Sequence, residues 1–454
     1  MQIEFVNHAS VLISHGDVRL LTDPWYQGPA FHKGWRLLVE TPDVTIADLL
    51  DRVTHIWISH EHPDHFSIGF FKRWGDTIRA RGIKLLFQGI EDQRVADFLR
   101  AQGFDLTEMD FGRPYTLGPD FEAICLKDEF YDSLISIRAG GQHVLNLNDC
   151  AVADDARAKE IHDVVGDCDV LLTQFSYAAW KGGRENRDWR VAAAQEKLNN
   201  IRVQARAFKP KQVIPFASFV AFAHVRNAYL NDAANTPDDV IAAFRDADFD
   251  LRVMQPGDVT DGTPDPEAHA RAAEYWRAVY ARPLDDPMTY DSVEDDKIRA
   301  SFDGWRDRVF ANNSRAAMRL AQKLSPIAVL QPVVIHTDDT GQSWRIDPPA
   351  GTLEPTEAKA DLVMHSESLN FLFSNSFGFD TLGVNGTFEE ARTGGFSRAA
   401  RSLAIENLNN LGLRFGPGLL FEPRIIGVFL ERLRKVSARM KGVGKTEAPT
   451  GRDA

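Results

Sequence analysis

Four metal-binding side chains, His60, His62, Asp64 and His65, fall within six residues in the run HEHPDHF, directly after the apolar-rich segment VTHIWIS. Imidazole nitrogens and a carboxylate oxygen bind first-row transition metals, and this spacing lets one loop serve two adjacent ions. A strand ending in such a cluster points to a metal centre at the tip of a β-sheet. The bland alternative is a surface loop that happens to gather charge. Three histidines and an aspartate coinciding behind an apolar strand argue against it.

The flanking chain gives that strand its context. EFVNHASVLI and VRLLTDPW read as two short strands joined by HGD, SIGFFKRWGDTIRA as the helix after the histidine cluster, and KLLFQG as a further strand before the helical EDQRVADFLRAQG. FEAICL, SLISIRAG and HVLNLND read as strands, ARAKEIHDVVG as a helix, DVLLTQF as a strand, and RVAAAQEKLNNIRVQARAF as a long helix before KPKQVIPFASF. This recurring order predicts an α/β sandwich whose functional residues sit at strand ends. The turn formers of PGDVTDGTPDPEAHA, positions 256–270, mark a boundary. The expected division is a metal domain at 1–260, a helical connector at 261–325, and a small α+β accessory domain at 326–454. The last would end in the amphipathic FEPRIIGVFLERLRKVSARMKG and a loose tail.

Composition narrows the function classes. A chain of 454 residues predicts two or three domains, and 52 basic against 65 acidic residues, a net charge of −13, disfavours a general nucleic-acid role. Cys125, Cys150 and Cys168 are too few for a disulfide framework or an iron–sulfur cluster from this chain alone. No apolar stretch has membrane-spanning length, and MQIEFVNHASVLIS lacks the pattern of a secretion signal, so the expectation is a cytoplasmic protein.

The segments NHASVLI, TDPW, HEHPDHF, LNLNDC and PFASFVAFAH together resemble the metallo-β-lactamase-fold superfamily across most of residues 1–260. The resemblance implies an αββα sandwich with two ions, to which the C-terminal α+β region is an addition. It further implies that His60 and His62 serve one ion, Asp64 and His65 the other, that Asp149 bridges them, that His224 is the distal ligand, and that Asp23 organises the histidine loop. Where hydrolases of this fold supply another histidine, this chain has CLKDEFYDSL. Glu129 is the expected replacement, with Asp128 as the alternative. A carboxylate there makes the donor set richer in oxygen, which suits iron or manganese better than a purely histidine-rich zinc site, although zinc also accepts carboxylates. The exchange looks like the diiron oxygenases of this fold, and LNLNDC and LLTQFSYAAW are similar to the metal domain of CMP-N-acetylneuraminate hydroxylases. No Rieske cysteine–histidine pairs are recognisable, so a hydroxylase of this kind would take electrons from a separate donor.

The resulting expectation is two iron ions supporting oxidation of a small polar organic substrate, with Asp64, Glu129 and Asp149 at the reacting centre. Hydrolysis of an ester, lactone or phosphoester by a metal-bound hydroxide is the competing reading, and a noncatalytic metal-binding or interaction module is the third. Tyr177, Trp180, Lys181 and Arg184 combine aromatic surface with cations suited to an anionic group, against the plainer reading of an amphipathic loop and helix cap. His8 is expected to orient a neighbouring carboxylate or to serve structure, and Cys150 to be a buried thiol behind the ligands. The C-terminal region is left open to pocket completion, homo-oligomerisation or a redox partner. The phenylalanines of NFLFSNSFGFD read first as core.

Overall fold

Alternation along the first strands sorts their side chains onto two faces. In the chain's opening half, β1 (Gln2–Asn7), β2 (Ser10–His15), β3 (Val18–Thr22) and β4 (Trp35–Leu37) precede α1 (Asp43–Leu50), and β5 (His55–Ile58), α2 (Ile68–Ala80), β6 (Lys84–Gln88), α3 (Arg94–Ala101) and β7 (Leu106–Met109) follow. Val11, Ile13, Leu20 and Trp57 fill the core between the sheets, while the intervening Leu12, Leu21, Ile56 and Ile58 pack with α1, α2 and α3 residues such as Leu49, Phe71 and Leu99. A period of two therefore builds two cores from one set of strands.

The second sheet begins with the meander β8 (Pro114–Gly118), β9 (Phe121–Lys127), β10 (Ser133–Ala139) and β11 (Gln142–Asn146). α4 (Asp155–Val165), β12 (Val170–Gln174), α5 (Arg187–Phe208), β13 (Gln212–Phe216), β14 (Val220–Phe222), α6 (Pro237–Ala243), β15 (Asp250–Leu251), β16 (Val259–Thr260) and α7 (Pro266–Tyr280) complete the series. The sheets run β16-β1-β2-β3-β5-β6-β7 and β15-β13-β12-β11-β10-β9-β8. With helices outside both sheets, this is the metallo-β-lactamase-like αββα sandwich that the motifs imply. The computed structural model describes residues 1–128, 131–325 and 327–416, so Glu129 and the expected C-terminal helix and tail beyond 416 lie outside the described residues.

Two compact units emerge, one of Met1–Ser292 with Asp380–Glu390, the other of Val293–Phe379 with the described residues from Ala391 on. The expected connector helix α7 falls in the first. Its Ala272, Trp276 and Val279 join the inter-sheet core, where the Trp276 ring stacks on Phe219 at 4.0 Å and its Nε1 donates to Met254 O at 2.8 Å. The second unit is the additional α+β region. Strands Thr352–Pro355, Gln342–Asp347, Val333–Thr337 and Leu362–Met364 lie side by side in that order. Phe302 and Trp305 pack against Phe373 at 5.2 and 5.7 Å, and Phe379 stacks on Phe396 at 5.6 Å. Those members of the phenylalanine cluster are core, whereas Phe377 is exposed.

One local expectation fails. EFVNHASVLI is two strands, because His8 takes a left-handed φ of 40° and breaks the extended run between β1 and β2. Among the described residues no helix is long and apolar enough to cross a membrane.

Replacing Trp276 by Ala removes a stacked, fully buried indole, and the expected loss is about 3–5 kcal/mol of stability in the first unit. Denaturant unfolding followed by tryptophan fluorescence reads it. A change under about 1 kcal/mol would show that α7 contributes little to this core.

Candidate metal centre

Strand ends of both sheets converge at one end of the sandwich, and the backbone there is contorted. His8 after β1, Asp23 after β3, Asn148 after β11 and Ala217 after β13 all have positive φ, at 40°, 37°, 57° and 55°. Such conformations cost free energy in non-glycine residues and concentrate where side chains must be aimed. Here they are held by cross-links: Ala217 N–H donates to His8 O at 2.8 Å, and Asp23 N–H to Trp57 O at 3.0 Å.

Asp23 is the hub. Fully buried, it accepts from Ser59 N–H at 2.8 Å, Ser59 Oγ–H at 2.9 Å and Asn148 Nδ2 at 2.7 Å, and its Oδ2 lies 3.0 Å from His65 Nδ1. With Nδ1 engaged in this way, His65 presents Nε2 to the site. His60 is oriented similarly, its Nδ1 lying 2.9 Å from Ser59 Oγ. Asp23, the residue to which the resemblance assigned the organising role, thus lies within hydrogen-bonding distance of Ser59, Asn148 and His65.

What converges is a continuous band of donors. Three groups have ligand atoms mutually within 4.8 Å: His8, Asp64 and His65; His60, His65 and Asp149; His60, His62 and Asp132. His65 links the first two groups and His60 the last two. Asp149 Oδ2 stands between them, 3.6 Å from His65 Nε2 and 3.9 Å from His60 Nε2. Asp64 Oδ2 lies 3.3 Å from His65 Nε2 and 3.4 Å from His8 Nε2.

The band includes His60, His62, Asp64, His65 and Asp149. It also takes in His8, expected only to orient or support, and Asp132, which sequence reasoning missed. Asp132 sits at the β9–β10 turn, where Asp128 N–H donates to Asp132 O at 2.8 Å. Both carboxylates belong to the segment CLKDEFYDSL, so the signal was present, but the direction of each side chain was not. Asp128 turns to Arg157, whose Nε donates to it at 3.0 Å, while Asp132 Oδ1 comes within 3.7 Å of His60 Nε2. His224 is in none of the three groups. Its Nδ1 accepts from Arg226 N–H at 3.2 Å and its ring packs on Tyr290 at 4.1 Å.

Charge in this band is strongly redistributed. Burial acts to raise the pKa of Asp64 and Asp149, but His65 beside both, joined by His60 at Asp149, holds each carboxyl well below its ordinary range. Burial acts to lower His65, and Asp64, Asp149 and Asp23 overcome it, holding its proton well above the usual value. His60, with burial and then His65 against it, is pushed far down and stays neutral. His62 is carried up to about 10, because Asp380 and the Glu61 and Asp132 charges outweigh its burial, and Asp132 is raised to about 8 by burial and then by Asp149. Cys150 is a buried thiol whose pKa burial, then Asp128, Asp132 and Asp149, push well up, which makes it a poor nucleophile.

The donors fit metal ions. Buried His8 Nδ1, Asp64 Oδ1, His65 Nε2 and Asp149 Oδ1 find no hydrogen-bond partner among the described residues, a costly condition for polar atoms unless a cation or water meets them. Four imidazoles and three carboxylates are also a donor set that accepts iron, manganese or zinc.

The residues expected to bind substrate separate into two kinds. Tyr177 is buried with its hydroxyl donated to Leu230 O, and Trp180 is buried against Phe388 and Trp189 at 5.0 and 5.5 Å. Arg184 is exposed, 3.4 Å from Glu389 and stacked over Tyr229 at 4.8 Å. Lys181 is half-buried on the loop between β12 and α5. That loop is clamped by Arg190, which is fully buried, donates to Gly183 O at 2.6 Å and Arg184 O at 3.1 Å, and pairs with Asp232 at 2.7 Å.

A family model described as a beta-lactamase superfamily domain matches residues 2–115. The cytidine monophosphate-N-acetylneuraminic acid hydroxylase of Danio rerio is 26% identical over 264 residues, covering 54% of this chain and 42% of that protein. The Mus musculus enzyme is 28% identical over 257 residues, covering 53% and 42%. The chain thus spans less than half the length of these relatives. Among solved structures, CmlA, a diiron beta-hydroxylase from Streptomyces venezuelae, is 18% identical with a TM-score of 0.42, covering 57% of this chain and 53% of its own.

Two outcomes are expected. His62 and His65 hold protons above the ordinary histidine value, and Asp132 is raised to about 8, so these groups must lose protons before they can bind a metal. Metal loading at pH 7 therefore releases protons, and apparent affinity rises with pH toward 10; calorimetry in buffers of different ionisation enthalpy measures the release, and a value of zero contradicts these charge states. Asp23→Asn, which disturbs the hub without removing a ligand atom, is expected to weaken metal affinity by about 10–100-fold, read by competition with a chromophoric chelator.

Proposed function

We propose that this chain, a metallo-β-lactamase-fold protein related to the CMP-N-acetylneuraminate hydroxylases, is a dinuclear metal enzyme that hydroxylates a polar, anionic organic substrate. The observation that carries the reading is the unbroken donor band in which Asp149 stands between two histidine-containing groups. His8, Asp64 and His65 would hold one ion and His60, His62 and Asp132 the other, with Asp149 reaching both. The assignment rests on proximity and on the unpartnered buried atoms of His8, Asp64, His65 and Asp149. When bound, two iron ions supply the accessible redox states that let dioxygen oxidise an organic bond.

The chain's own residues do the rest. Asp23 and Ser59 fix the imidazole orientations, so the donor geometry is set in advance. Asp380, with its Oδ2 3.8 Å from His62 Nε2, supports that imidazole from outside the band. The Arg190 clamp holds the loop carrying Lys181 in place, so an anionic substrate meets a preset cation. Hydroxylation inserts one oxygen atom into a C–H bond and releases the other as water, and it consumes two electrons and two protons. Those electrons would come from a separate donor protein or a small reductant.

Support for iron over zinc comes from three carboxylates in the band and from the relationship to hydroxylases. Anaerobic purification from iron-57-enriched cells, with elemental analysis and Mössbauer spectroscopy, tests it. The expected result is about two iron atoms per chain with a coupled signal, and in Asp149→Asn loss of that coupling. Stoichiometric zinc with no iron under these conditions would replace hydroxylation by hydrolysis, and no metal after reconstitution would leave a noncatalytic module.

A further inference from the structure

Helix α5 carries a lysine where its buried face predicts an apolar residue. Arg190, Ala193, Ala194, Leu198, Ile201, Gln204 and Phe208 are all buried at helical spacing, and Lys197 falls among them, only partly exposed. Hydrogen bonds fix where that face lies. Asn235 Nδ2 donates to Ala194 O and to Phe175 O, both at 2.8 Å, tying the turn before Lys197 to the loop that leaves β12. Two turns later Gln204 accepts from Thr173 Oγ1 at 2.7 Å and donates to Val152 O at 3.3 Å, tying α5 to the loop that follows Asp149. The stretch of α5 that carries Lys197 is therefore tied at one end to the loop that carries Lys181 and at the other to the loop that follows Asp149.

Its electrostatic surroundings agree. Burial and Lys181 act against the Lys197 ammonium, whereas Asp149, Glu196 and Asp132 favour it. Neither Lys197 nor Lys181 has a hydrogen bond or an ion pair with any described residue. A lysine on the buried face of a helix, among apolar neighbours and without an acidic partner among the described residues, is poorly matched to a merely structural role. The carboxylates that would otherwise neutralise it belong to the donor band.

We infer that Lys197 and Lys181 form an oxyanion subsite beside Asp149 and Asp132 that receives a phosphate or carboxylate group of the substrate. The inference rests on the reading of the donor band as a metal centre acting on an anionic molecule, and it adds the group that anchors that molecule. Ammonium donors in a partly desolvated wall gain most from a charged acceptor. An anion held there sits next to the metal donors, so the rest of the substrate is presented to them in a fixed direction. Lys197 was not identifiable from sequence, since a lone lysine in a long helix normally marks a solvated face.

The test is calorimetric titration of the full chain, metal-loaded and metal-free, with inorganic phosphate and separately with acetate. The metal-loaded wild type is expected to bind at least one of them saturably, the tighter one identifying the substrate group. Lys197→Met, which keeps the length and apolar stem, should lose about 10-fold or more in affinity. Lys197→Arg and Lys181→Met should fall between, and all three variants should keep the wild-type metal content and melting temperature. Unchanged affinity in Lys197→Met with metal content intact overturns the subsite, because the anion would then be held by the ions alone. Absence of saturable binding of either anion by the wild type overturns it as well. If the protein takes up no metal, the metal-enzyme reading fails on its own evidence. The metal-free titration still decides the lysines, binding lost in Lys197→Met supporting them and binding retained refuting them.

Discussion

Everything at the site end of the sandwich depends on one buried carboxylate. Asp23 takes hydrogen bonds from Ser59 and Asn148 and meets His65, so a single side chain ties the end of β3 to the loop after β5 in the same sheet and to the loop after β11 in the other. A buried anion is costly unless its oxygens are matched by donors, and here both oxygens are. That full satisfaction holds Asp23 in its left-handed conformation, and through it the direction of His65.

The two cores make this convergence possible. Period-two alternation on β2, β3 and β5 gives each of these strands one face toward the opposing sheet and one toward helices, so the strands are gripped from both sides and their ends are held in place. Loops then need to bend only locally. The left-handed residues His8, Asp23, Asn148 and Ala217 do this, and the cost of each is offset by a rigid scaffold. Preorganisation of this kind suits a metal centre, because donors that already face one another lose little entropy on binding.

Charge separation within the band follows from the same packing. Neutral His60 and protonated His65 lie at ring centroids 4.2 Å apart, and what distinguishes them is that close anions overcome burial at His65, while burial and the His65 charge prevail at His60. His65 contacts Asp23, Asp64 and Asp149 at 3.0 to 3.6 Å, whereas His60, with Asp132 and Asp149 farther off at 3.7 and 3.9 Å, has a hydroxyl at one nitrogen, another imidazole near the other and the His65 charge against it. Identical side chains five residues apart in sequence thus enter the site in opposite protonation states.

The sequence by itself determined the sandwich and the strand that delivers His60, His62, Asp64 and His65 together, because hydrophobic periodicity and short-range spacing are local properties, whereas Asp149 was reached only through the resemblance of LNLNDC to a known family. It also placed Asp23 at a strand end, and the resemblance alone implied that it organises the histidine loop. Tertiary structure alone decided that His8 turns inward, that Asp132 faces the histidines while Asp128 pairs with Arg157, that Asp380 approaches His62 from more than three hundred residues away, and that Lys197 falls on the buried face of its helix. Each of those outcomes depends on a backbone bend or a long-range packing contact. A one-residue change in direction exchanges buried for exposed, and no pattern in the neighbouring residues records which way the bend goes.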